Sequence, residues 1–144
     1  MFSEISELKT IREKKSRLSE REYELSTPIM SDLNYIPSIY QCFCDILDSR
    51  DCPGYKDSVH NRKKFIFIIL FLYAPSVLAG GRMPRGLRDK IAESVNISDK
   101  TFISPHIETV VVLYNNYKGF RKDIEYIYSE IVSHLRDEGL IFNK

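Results

Sequence analysis

Apolar positions recur along this chain with the spacing of helices. Ile36, Ile39, Tyr40, Phe43, Ile46 and Leu47 fall three and four apart, so a helix there presents one apolar face, with Pro37 suited to its first turn. Phe120, Ile124, Ile127, Tyr128, Ile131 and Leu135 do the same, and Gly139 stops that helix. The stretch from about Asp57 to Tyr73 is polar at its start and then apolar nearly all round, in "FIFIILFLY". That pattern predicts the most buried helix of the fold. Ser104-Pro105 has the form of an N-cap followed by proline at the first helical position, and predicts a helix reaching Lys118, with Gly119 able to end it. No strand-like alternation of useful length and no internal repeat occurs. The expected fold is all-α: a compact helical bundle of about six helices over residues 27–144, cored by 57–73 against 105–118 and 120–137.

The first 26 residues carry another pattern. "SEISELKTIREKKSRLSEREYELS" mixes charges densely and lacks glycine and proline. Ile11, Leu18 and Leu25 fall seven apart, and Ile5 and Leu8 extend that stripe. The matching positions Lys15 and Glu22 are charged, so the seam is thin. The reading is an N-terminal helical arm, either lying solvated across the domain or packed on a neighbouring subunit. Thr27-Pro28 ends it.

"APSVLAGGRMPRGLRD" is rich in helix breakers. Pro75 can open a short helix that Gly80-Gly81 closes, and Pro84 can open the next. The stretch 88–107 resembles a degenerate helix-turn-helix, the core of a three-helix unit at 84–118. Ala92 takes the small position where two helices touch. Ile91, Val95, Ile97 and Phe102 take apolar positions, and Asn96 stands where glycine is usual, a residue that tolerates the left-handed conformation. The second helix of such a unit would begin at Asp99 and meet Ser104-Pro105 within two turns, where proline breaks it. Beyond the proline, the run Val110 to Tyr114 is too apolar to face a groove. Lys100, Thr101 and Ser104 remain as candidate base contacts. Arg82, Arg85 and Arg88 with Lys90 form one basic group and Arg62, Lys63 and Lys64 another, each suited to phosphate, to a solvated face or to ion pairs between subunits.

The net charge of +1 does not indicate a strongly basic nucleic-acid binder. Three cysteines without an N-terminal secretory pattern point to free thiols in a reducing compartment. The apolar run 65–73 is about half of what spans a bilayer. Cys42, Cys44, Cys52 and His60 invite a zinc reading, but Cys42 and Cys44 stand about 200° apart on a helix and point to opposite sides. His106 and His134 have no partner that the sequence identifies and read as surface or capping residues. No phosphate loop, nucleophile elbow or dinucleotide fingerprint occurs, so no residue is named as catalytic, and no cofactor or metal is expected. Tyr40, Tyr73, Tyr114, Tyr117, Tyr126 and Tyr128 fall on expected helices, suited to the edge of the core or to contacts between subunits.

In size, helicity and texture the whole chain resembles the small all-helical connector and ring proteins at the head–tail junction of tailed phages, including the crAss-like group. That resemblance implies a non-catalytic virion subunit. Its partners would be copies of itself and other virion proteins, and its location the virion or host cytoplasm. Ile11, Leu18, Leu25, Arg82, Arg85 and Arg88 are then the candidate partner contacts. The alternative is a small DNA-binding regulator of a phage or mobile element, using Lys100, Thr101 and Ser104.

Overall fold

A computed structural model describes residues 1–49, 59–96 and 103–141. Among them stand seven α-helices: α1 Ser3–Ser26, α2 Ile36–Ser49, α3 Val59–Tyr73, α4 Pro75–Leu78, α5 Leu87–Ser94, α6 Ile103–Asn116 and α7 Lys118–Asp137. A single 3-10 turn, Leu33–Tyr35, leads into α2, and Asp32 caps it by accepting from the Asn34 amide at 2.9 Å. The described fold is all-helical, as the periodicity requires.

α3 is the centre of the bundle. It packs on α6, α4, α7 and α2. Phe65, Ile66, Ile68, Ile69, Leu70 and Leu72 are wholly buried, so its apolar surface is covered on nearly every side. Phe43 of α2 meets Phe65 with ring centroids 5.4 Å apart, and Tyr40 meets the same ring edge-on at 4.9 Å. Ile124, Ile127, Ile131 and Leu135 carry the inner face of α7 to the same core. After α1 the chain is anchored where the Ile29 and Met30 amides both donate to the Leu72 carbonyl, at 2.9 and 3.0 Å. Tyr73 adds a hydroxyl bond of 2.7 Å to the Asp32 carbonyl.

Three boundaries differ from the sequence expectation, the third being the start of α6 at Ile103, with Ser104 inside the helix and not its N-cap. Pro84 does not open a helix: α5 starts at Leu87, because Gly86 takes a left-handed φ of 84° that a right-handed helix cannot include. Gly119 does not end α6 and instead lies inside α7. The break falls at Tyr117, whose backbone is extended. Arg121 explains this position. Its Nε donates to the Tyr114 carbonyl at 3.1 Å and its second guanidinium nitrogen to the Asn115 carbonyl at 3.0 Å. The last carbonyls of α6 are thus satisfied without a left-handed residue. Pro105 is the third residue of α6, within the first turn, where its missing amide hydrogen breaks no helical bond.

Candidate functional site

The feature that the core does not explain is α1. It is a 24-residue helix with no buried residue, touching the bundle through α4. Its composition of Glu, Lys, Arg and Leu favours a helix locally. Charge pairs such as Arg21–Glu24 at 3.1 Å decorate it, but these stand in solvent and add little. The apolar stripe is open: Ile11 is 45 % exposed, Leu18 70 % and Leu25 60 %. Ile5 and Leu8 continue the exposed stripe toward the N-terminus, and Tyr23 stands exposed beside it. Scattered single apolar residues on a surface are ordinary; here the exposed apolar residues line up along one helix.

The first basic group lies on the segment from α4 into α5. Arg82 and Arg85 are exposed, whereas Arg88 is half-buried on α5. The Arg88 Nε is shut from solvent with no hydrogen-bond partner among the described residues. The structure therefore leaves Arg82 and Arg85 open to solvent and holds the stem of Arg88 against the bundle. The second group divides as well. Lys64 is turned inward, with its Nζ 3.0 Å from the Asp123 carboxylate and 5.6 Å from the centre of the Phe120 ring. Arg62 and Lys63 are half-buried near the start of α3, and the Arg62 Nε is shut from solvent with no hydrogen-bond partner among the described residues.

The charges of those two cations reach the start of α6. His106 is half-buried there, and burial first, then the charges of Lys63 and Arg62, hold its pKa below the ordinary histidine value. His60 is held low by burial, then by Lys64 and Lys63, and its ring meets Phe120 edge-on at 5.2 Å. Ser104, half-buried in the first turn of α6, stands two residues from His106. Lys100 and Thr101 lie outside the described residues, as do Ile97 and Phe102. α5 packs chiefly on α2 and the 3-10 turn, while α6 packs on α3 and α7. Ala92 is buried and Asn96 takes a φ of 61°, the left-handed turn geometry expected of it.

Of the cysteines, Cys42 is half-buried and Cys44 buried on α2, and Cys52 lies outside the described residues. Burial and then the nearby Asp45 raise the pKa of Cys42, which makes it a poor thiolate. Among the described residues no three His, Cys, Asp or Glu side chains come together in a metal-binding group. His134 is exposed and pairs with Glu138 at 3.0 Å. No described helix is long and apolar enough to cross a membrane.

An aromatic groove between α3, α6 and α7 was not foreseen as a unit. Phe67 stacks on Tyr114 at 4.7 Å and Phe71 meets Tyr128 edge-on at 5.2 Å. They flank a shallow cavity of about 100 Å³. The Tyr114 hydroxyl donates to Glu125 at 3.1 Å, at the rim. Tyr73 is buried, Tyr40, Tyr114 and Tyr128 are half-buried, and Tyr117 and Tyr126 are exposed. Comparison with protein-family models, curated proteins and solved structures found no match to this chain.

Proposed function

We propose that this chain is a non-catalytic assembly subunit, a virion component such as a head–tail connector or ring protein, which joins copies of itself and other virion proteins through α1. The observation that carries this reading is a 24-residue helix without one buried residue and with Ile11, Leu18 and Leu25 open on one side. A folded chain gains nothing from holding that stripe in water; covering it with protein recovers about 25 cal/mol for each Å² of apolar surface. Arg82 and Arg85, exposed on the segment before α5, supply polar contacts at the edge of the joint. Removing residues 1–26 is expected to leave a folded monomer and abolish self-association, read by sedimentation velocity of both chains. A truncated chain that still assembles would overturn this reading.

A DNA-binding regulator is the second reading, and one observation favours it. The charges of Lys63 and Arg62 act on His106, two residues from Ser104, so cations suited to phosphate and a candidate base contact belong to one region of the bundle. Binding to a 30-base-pair duplex at micromolar protein, with sequence preference that persists at near-physiological salt, would establish it. Binding lost with salt would reject it.

A further inference from the structure

We infer that α1 pairs with α1 of a second copy, and that the two helices run antiparallel. This rests on the assembly reading above and names its partner. Three observations combine. The stripe Ile11, Leu18, Leu25 repeats every seven residues, not every 3.6, so it stays in one line only when the helix winds around another helix. The line is open in the folded chain. The intervening seam positions are Leu8, Lys15 and Glu22, of which two are charged with opposite sign. Among the described residues neither Lys15 nor Glu22 makes an ion pair.

The charges choose the direction. A parallel, in-register pair sets Lys15 against Lys15 and Glu22 against Glu22, like charges in the seam. An antiparallel pair sets Leu8 opposite Leu25, Ile11 opposite Glu22 and Lys15 opposite Leu18. Each charged residue then lays its aliphatic stem along an apolar neighbour. The Lys15 ammonium also lies about one turn, roughly 6 Å along the axis, from Glu22 of the other copy. The two-fold symmetry makes two such pairs. The arrangement also places the two bundles at opposite ends of the pair, with the two Ser26 positions roughly 28 Å apart along the axis.

The experiment uses the full chain. Leu8→Cys and Leu25→Cys chains are oxidised separately and as a mixture, and peptide mapping finds the new disulfides. A link between positions 8 and 25 is expected in the mixture, with no 8–8 link in L8C alone, since those positions lie about 25 Å apart in the antiparallel pair. In parallel, K15E and E22K are each expected to raise the self-association constant Kd about tenfold by setting two like-charge pairs in the seam. The doubly exchanged chain, K15E with E22K, is expected to return it to the starting value. An 8–8 link, or a double exchange that does not recover, would overturn the antiparallel pair. If assembly still required residues 1–26 in that case, the arm would instead pack on the body of a neighbour and the assembly reading would stand. A full-length chain that stays monomeric would overturn both.

Discussion

Lys64 shows how much a single position leaves to its surroundings. In the sequence it is one of three consecutive cations; in the fold it is 8 % exposed and bonded to Asp123, which faces solvent on its other side. The two partners are therefore unequal. D123A leaves a buried ammonium unpaired and is expected to cost about 1–2 kcal/mol, less than a fully buried pair because water reaches the site. K64M leaves a partly exposed carboxylate that water reaches, and is expected to cost less than D123A. Urea denaturation of the two variants checks the asymmetry. Tyr73 gives a prediction in pH. Burial, and then the neighbouring Asp32, push its hydroxyl pKa well above the ordinary tyrosine value near 10. An acid whose folded pKa is raised contributes stability that is present below its ordinary value and lost as pH climbs through the folded one. Stability should therefore fall above pH 10, and Y73F should flatten that fall while costing about 1 kcal/mol at neutral pH for the lost bond to Asp32. Tyr128 and Tyr114, also raised by burial first, leave a residual slope.

At the scale of elements, the helices with a strong apolar face were legible: α2, α3 and α7 fall where Ile36 to Leu47, Phe65 to Tyr73 and Phe120 to Leu135 place them. Asn96 was legible too, because few residues other than glycine accept a φ of 61°. The junctions were less so. Gly86 rather than Pro84 fixes the start of α5, and Arg121, a side chain from the next helix, fixes the end of α6. Neither comes from local preference, since the first depends on which glycine turns and the second on a contact between helices. Gly81 is a sharper case. A Cβ there would stand 2.8 Å from the Ser76 carbonyl oxygen, the acceptor of Gly81's own amide bond. G81A is expected to lower stability by about 1–3 kcal/mol, because the backbone that ends α4 must shift. Thermal melting of G81A beside G80A separates the two causes: at Gly80 the space is open, and its penalty comes from a φ of 95° alone.

The whole molecule divides its apolar surface between two uses. The bundle closes on α3, with Phe43, Phe65, Ile91, Ile103 and Ile127 among its wholly buried residues, whereas α1 contributes nothing to that core. The chain without residues 1–26 is accordingly expected to unfold in urea within about 0.5 kcal/mol of the full-length monomer, since surface changes away from the core move stability little. The same deletion is expected to remove self-association. A large loss of stability would instead show that α1 braces the bundle through α4. The groove at Phe67, Phe71 and Tyr114 belongs to this scale as well. Its residues come from three helices, with α3 some thirty residues before α6 and α7, so no local pattern marks it.

By itself the sequence determined the helical class, the burial of most of residues 65–73, the seven-residue spacing of the α1 stripe and the left-handed turn at Asn96. Each depends on the spacing of side chains along one helix or on the conformational freedom of one residue. Only the tertiary structure decided that Lys64 turns inward to Asp123, that the charges of Lys63 and Arg62 act on His106, and that Arg121 closes α6. These depend on which helices lie side by side, and that is set by how the whole apolar surface is covered at once.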